Sequence, residues 1–332
     1  MQYLDFSALE HNALYFKGLL GNSKLCAVIK NDAYGHGIVH VARYLNNIVD
    51  CFAVGSVFEA KQIDFVDKDI LILIPPCASD MKLAINSGYV LIVDSFETFK
   101  IVKNVCDELD KTVRIHIKID SGMSRLGFGS KDIGKLVCLL ENSPRIIVEG
   151  VYSHFYGENA LDCDKQFQEF MPCCRAIEQF LGKRLIKHIS NSGGALLSNK
   201  YHLDMARIGL GLYGYGNENL RAVKTVTANV VAVKEIGAGS VVGYGAKFVA
   251  AANCKIAVVD VGYAQGFARA LVGTSVEVNG IKCKVLAVCM AMIIVEVDNV
   301  DVNVGDSVKL LGAGINISND TVSIYELLCN LH

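Results

Sequence analysis

Up to about residue 216 the chain repeats one pattern: a short, almost wholly apolar run, then a longer segment whose apolar residues recur at helical spacing. The runs occupy 25–29, 52–57, 70–74, 90–93, 113–119, 146–152, 188–190 and 206–213. Strands apolar on both faces need cover on both, and parallel strands need a long crossover. Eight such units predict a closed, TIM-like (β/α)8 barrel rather than an open sheet. Beyond residue 216 the helical period gives way to β-branched runs at 225–234, 256–261 and 275–278, separated by Gly and Asn. Asn279-Gly280 between two of them is a strong hairpin signal. The expected α/β architecture is therefore a barrel over 1–218 and a smaller, mainly-β domain over 219–332, a size split natural for 332 residues.

Charge narrows the function classes. Acidic and basic residues number 34 and 32, so there is no polybasic footprint for nucleic acid or an anionic membrane. The first residues lack the basic start and continuous apolar stretch of a secretory signal, and the apolar runs are too short to cross a bilayer. A cytoplasmic protein acting on a small molecule is expected. The 12 cysteines include no C-x-x-C, and the adjacent pair Cys173 and Cys174 has no partner pair at metal-ligand spacing. Reduced thiols, mostly in the core, are expected, with no metal.

Active sites of such barrels form at the carboxyl ends of the strands. Lys30 follows the first run, Lys118 and Arg125 belong to the end of the fifth, His154 follows the sixth, Asn191 and Ser192 follow the seventh, and Arg207 and Gly209 lie in the eighth. A lone lysine at a strand end is most often an ordinary solvated side chain. Lys30 differs in emerging from an apolar interior, where burial favours the free amine that condenses with a carbonyl. Ser190 to Gly194 and Arg207 to Gly211 are small-residue loops at the strands whose loops often bind phosphate in barrels. A lysine opposite two such loops suggests a phosphate-bearing cofactor.

The stretch Ala27-Val28-Ile29-Lys30-Asn31-Asp32-Ala33-Tyr34-Gly35-His36-Gly37 resembles the cofactor-lysine signature of the alanine racemase family. Further blocks resemble the same family in the same order: 117–127 around Lys118 and Arg125, Ser153-His154-Phe155, 188–192, 207–214, Gly243-Tyr244-Gly245, Gly262-Tyr263-Ala264 and Tyr325-Glu326. The resemblance implies a pyridoxal 5′-phosphate enzyme, an isomerase interconverting L- and D-alanine and supplying D-alanine for peptidoglycan. Lys30 would hold the cofactor as a Schiff base and serve one face of the substrate, and Tyr244 of a partner subunit would serve the other, so a homodimer is implied. Arg207 would face the pyridine nitrogen, with His154 between it and Tyr244. Tyr34, Ser192, Gly209, Leu210 and Tyr325 match phosphate contacts, and Asn191 is placed with them. Arg125 and Lys118 match a pair near the cofactor oxygen, the lysine often carbamylated in the family. Tyr263 and Met290 match the substrate entrance, again across the dimer.

The match lapses in the second domain. Ala287 and Ala291 stand where relatives carry an arginine and an acidic residue, Gln265 replaces an aspartate, and the chain stops at His332, short of a basic and aromatic tail. Two other readings keep most of these residues: a broader amino-acid racemase, and a non-catalytic protein of cofactor homeostasis. The second generally lacks a domain bearing an equivalent of Tyr244.

Overall fold

The first strand, β1 (Gln2–Leu4), pairs antiparallel with β10 (Lys224–Ile236), far along the chain. Between them run β2 (Lys24–Val28), β3 (Cys51–Val54), β4 (Asp69–Ile72), β5 (Val90–Val93), β6 (Val113–Lys118), β7 (Ile146–Tyr152), β8 (Ile186–His188) and β9 (Met205–Ile208). The computed structural model describes residues 1–246 and 248–332. Two compact units emerge: a barrel unit of Leu9–Ala33 and Gly37–Leu220, and a strand-rich unit of Met1–Ala8, Tyr34–His36 and Arg221–His332. Residues 1–8 therefore depart from the barrel expected over 1–218, because the β1 ladder to β10 ties them to the strand-rich unit.

In the barrel unit the eight strands lie all parallel in the order β8-β7-β6-β5-β4-β3-β2-β9. Arg207 N donates to Ser190 O at 3.0 Å and Asp204 N to Lys187 O at 3.1 Å, so the edges at β8 and β9 meet. The crossovers are amphipathic helices with ordinary signals. Phe96–Leu109 starts at Ser95, whose hydroxyl accepts Thr98 N–H at 3.1 Å, and buries Phe99, Val102, Val105 and Cys106 at helical spacing. Cys26, Cys51, Cys106, Cys163, Cys173 and Cys174 sit in this core as buried thiols.

Two strands differ from the expected runs. The seventh is Ile186–His188 rather than 188–190, so His188 ends the strand and points into the barrel layer. The eighth stops at Ile208, and Leu210–Tyr213 is a 3-10 turn, which puts Gly209 in the loop after the strand.

The strand-rich unit is a seven-stranded sheet in the order β1-β10-β13-β16-β15-β14-β17, with a separate two-stranded ribbon β11-β12. Its members after β10 are β11 (Val241–Val242), β12 (Phe248–Val249), β13 (Cys254–Val259), β14 (Ser275–Val278), β15 (Ile281–Val288), β16 (Ile293–Glu296) and β17 (Ser307–Leu311). Asn279 and Gly280 form the β14–β15 hairpin turn with positive φ, as the Asn-Gly signal predicts. No helix among the described residues is long and apolar enough to cross a membrane.

Candidate active site

The barrel's interior is not uniformly apolar. His116, Lys118, Tyr152, His188 and Arg207 come from β6 to β9 and are all buried. Arg207 is 3 % exposed, and among the described residues no carboxylate pairs with it. Nη1 donates to His188 Nδ1 at 2.6 Å, and Nη2 is offered Ser153 O at 2.7 Å, His154 Nδ1 at 3.1 Å and Ile189 O at 3.4 Å. Its guanidinium also lies over the Tyr152 ring, 5.1 Å from the centroid. Neutral acceptors leave its full positive charge in place.

That charge sets its neighbours' protonation. His154 is half-buried, and desolvation followed by Arg207, Lys118, Arg125 and Lys30 holds its basicity well below the ordinary imidazole range. It is therefore neutral. Since Arg207 can only donate, His154 Nδ1 accepts, and its proton sits on Nε2. Lys118 is buried beside the Tyr152 ring at 4.7 Å, and burial, then Arg207 and Arg125, brings its amine down to about 7. Arg125 is exposed on the loop after β6, where Asp120 Oδ1 accepts N–H groups of Gly122 at 3.0 Å and Ser124 at 3.1 Å.

Lys30 ends β2's run and opens the turn Lys30–Gly35, where Asn31, Asp32, Ala33 and Tyr34 all have φ between 52° and 55°. Four consecutive non-glycine residues in the left-handed region are costly, at about 1–3 kcal/mol each, and persist only under external bracing. Glu59 supplies it: its carboxylate accepts Asn31 N–H at 2.5 Å and Gly55 N–H at 2.6 Å. Asp32 Oδ1 accepts Ile38 N–H at 2.7 Å, and Ala33 N donates to Ile29 O at 2.9 Å.

The loops after β8 and β9 meet at one hydroxyl. Ser192 Oγ accepts N–H from Gly209 at 3.2 Å and from Gly211 at 3.0 Å, which directs its own hydrogen outward as a donor. Leu210 lies between those two glycines. A Cβ at Gly211 would stand 2.5 Å from the Phe16 ring, so the close approach of the loop depends on glycine there. Asn191 shapes this loop through its side chain. Its Oδ1 accepts Gly194 N–H at 2.9 Å and caps the short helix Ser192–Leu197, so its amide serves the loop's shape.

The strand-rich unit holds the remaining residues in two groups. Tyr34 and Tyr325 have ring centroids 6.0 Å apart. Tyr325 rides on the helix Ile324–Asn330, capped by a reciprocal Ser323–Glu326 pair and gripped at Leu328 O by the buried Lys224 Nζ at 2.8 Å. The other group is a set of exposed turns. Tyr263 N donates to Cys289 O at 3.1 Å and Ala264 N to Met290 O at 2.9 Å, so the Tyr263 and Met290 turns are stacked, with those side chains 44 % and 59 % exposed. Gln265 accepts Gly262 N–H at 3.0 Å within the same turn. Tyr244 stands 78 % exposed beside β11. Ala287 packs with Val242, Ile256 and Leu286, and a Cβ at Gly243 would fall 2.6 Å from its own. Ala291 is exposed.

Four residues escaped the sequence reading: Glu59, His116, Tyr152 and Gln166. Gln166, buried on the helix Ala160–Leu181, donates to His154 O at 3.0 Å and accepts Tyr156 N–H at 2.9 Å, so it fixes the loop bearing His154. A glutamine on the apolar face of that helix was the available signal.

Comparison with known proteins gives the family. The family model for the alanine racemase N-terminal domain matches residues 4–217, and that for the C-terminal domain matches 223–332. The alanine racemase of Staphylococcus carnosus is 34 % identical over 326 residues, covering 93 % of this chain and 84 % of that protein. The crystal structure of alanine racemase from D-cycloserine-producing Streptomyces lavendulae superposes with a TM-score of 0.92 at 25 % identity, covering 100 % of this chain and 94 % of the other. The Bartonella henselae alanine racemase, solved with covalently bound pyridoxal phosphate, gives 0.88 at 26 % identity, covering 100 % and 96 %. The chain belongs to the alanine racemase family of isomerases, carrying both of the family's domains.

Proposed function

We propose that the protein is a pyridoxal 5′-phosphate-dependent alanine racemase with Lys30 and the partner subunit's Tyr244 as its two proton-transfer groups. The observation that carries this reading is Arg207: a buried guanidinium that, among the described residues, pairs with no carboxylate and is held through Nη1 and Nη2 rather than Nε. The remaining Nε–H suits a neutral, accepting ring nitrogen. Protonating such a nitrogen would place a second cation beside Arg207 in a desolvated site. Lys30 would attach the cofactor, and the outward hydroxyl of Ser192 with the backbone N–H groups around Gly209 and Leu210 would hold its phosphate, aided by the hydroxyls of Tyr34 and Tyr325. When bound, the cofactor withdraws electrons from the substrate and acidifies its Cα–H.

Racemisation then requires proton transfer on both faces of Cα. In one direction Lys30 Nζ removes the proton and the Tyr244 hydroxyl supplies its replacement; the reverse direction exchanges the roles. His154, neutral with its proton on Nε2, offers that N–H to the tyrosine oxygen and so stabilises the phenolate. Arg125 and Lys118 serve the substrate side. An amine brought down to about 7 is in good part free at neutral pH, able to attack the carbon of carbon dioxide and release one proton to solvent as the carbamate forms, so carbamylation of Lys118 fits this site. Tyr263 and Met290 line the substrate's approach from the partner, and the enzyme acts as a cytoplasmic homodimer supplying D-alanine for peptidoglycan.

The cofactor assignment is tested by loading the protein with pyridoxal 5′-phosphate, reducing with borohydride and mapping peptides. The pyridoxyl group is expected on Lys30, and Lys30→Ala should lose it together with racemisation. Labelling at another lysine, or an undiminished Lys30→Ala enzyme, would sink the assignment.

A further inference from the structure

We propose that His116 is a positioning residue for Arg207, acting through His188. His116 lies one strand layer below Lys118 on β6, and His188 ends β8. His188 Nε2 is 2.7 Å from His116 Nδ1, and His188 Nδ1 is 2.6 Å from Arg207 Nη1. Arginine has no acceptor, so the direction of the whole chain is set from its Arg207 end. Arg207 donates to His188 Nδ1; a neutral His188 then carries its proton on Nε2 and donates to His116 Nδ1; a neutral His116 carries its own proton on Nε2. Burial and Arg207 depress the basicity of both rings, His116 to about 3, which keeps both neutral.

Two features of the backbone show that the fold makes room for the His116 ring. The β6–β7 ladder shifts register between Ile115 and His116, and such an irregularity re-aims a side chain. Opposite His116 stands Gly150, where a Cβ would come within 2.8 Å of the imidazole. The Tyr152 ring, stacked on His188 at 4.9 Å and 7°, keeps that ring in plane. His116 thus holds His188 in the one neutral tautomer that can accept from Arg207. Without it, His188 can move its proton to Nδ1, which would oppose donor to donor and turn the guanidinium.

The inference rests on Arg207 facing the cofactor nitrogen, but its primary test does not require turnover. Long-range nitrogen-15 NMR of the imidazoles in the full-length, cofactor-loaded protein should show His116 and His188 as Nε2–H tautomers at pH 7. His188 found as the Nδ1–H tautomer, or as imidazolium, overturns the proposal. In His116→Phe, His188 should lose its single tautomer, and kcat should fall about tenfold or more with KM little changed. His116→Asn, whose amide oxygen can accept from His188 Nε2–H, should restore both. A His116→Phe enzyme with unchanged His188 signals and kcat, or a folded His116→Asn enzyme with no rescue, overturns the proposal; if His116→Phe fails to fold, the wild-type and His116→Asn spectra decide. A wild-type protein with the expected tautomers but no racemisation would overturn the proposed activity and leave the histidine chain standing.

Discussion

Arg207 and Tyr244 are held in opposite ways. Arg207 is 3 % exposed and fastened by acceptors from the ends of two neighbouring strands, β7 and β8, whereas Tyr244 is 78 % exposed on a turn between two glycines of positive φ. A buried cation whose surroundings are complete within one unit gains orientation from its own fold. An exposed tyrosine gains little, and about 1–2 kcal/mol of side-chain freedom must be lost for it to act in one place. The contrast supports a division of labour in which the barrel orients Arg207 by itself and the second unit presents, in Tyr244, a group that another surface must order.

That division predicts a split between activity and stability. Tyr244→Phe should lower kcat by about 10²- to 10⁴-fold, while shifting unfolding free energy by less than about 0.5 kcal/mol, since the hydroxyl is exposed. Steady-state kinetics with urea unfolding of the same preparation checks both; a large stability loss would erase the contrast. Gly150→Ala should do the reverse in emphasis. Its Cβ would meet both the His116 ring and Ile186 O at 2.8 Å, and overpacking of this kind costs about 1–3 kcal/mol, read as a lower urea midpoint. An unaffected midpoint would show that the barrel interior yields more easily than described.

Lys118 gives a smaller effect, read through pH. Its folded amine lies near 7 against an ordinary 10.5, so above pH 7 the unfolded chain binds the proton that the folded chain has released. Stability contributed by this group therefore rises with pH through that window, by about 1 kcal/mol between pH 7 and 8. In carbon dioxide-free buffer, unfolding curves at those two pH values should show that rise, and Lys118→Met should remove it. A wild type with no such difference would place the lysine in a better solvated or compensated setting.

Much of the barrel was legible in the sequence because its signal is repetitive. Each apolar run corresponds to one strand, and Lys30 follows the first. The seventh run misleads because Ile186-Lys187-His188 alternates polarity, while Ile189 and Ser190 of the expected 188–190 lie beyond the strand. Bracing was less legible. Nothing local marks Glu59 as the acceptor for Asn31 N–H, or Ala33 and Tyr34 as left-handed; asparagine and aspartate tolerate that region, but alanine and tyrosine enter it only when forced. The acceptors of Arg207 come from β7 and β8, so their meaning depends on strand order around the barrel. Ala287 reads as a lost arginine in the sequence, and the structure gives its local consequence, a seat on which Gly243 rests.

The central claim is two-faced proton transfer at Cα of alanine, and solvent isotope incorporation reads it directly. Cofactor-loaded enzyme incubated with L-alanine in heavy water should yield D-alanine carrying deuterium at Cα. Formation of D-alanine without solvent deuterium at Cα, or no D-alanine at all from folded enzyme that carries its cofactor on Lys30, would contradict the account.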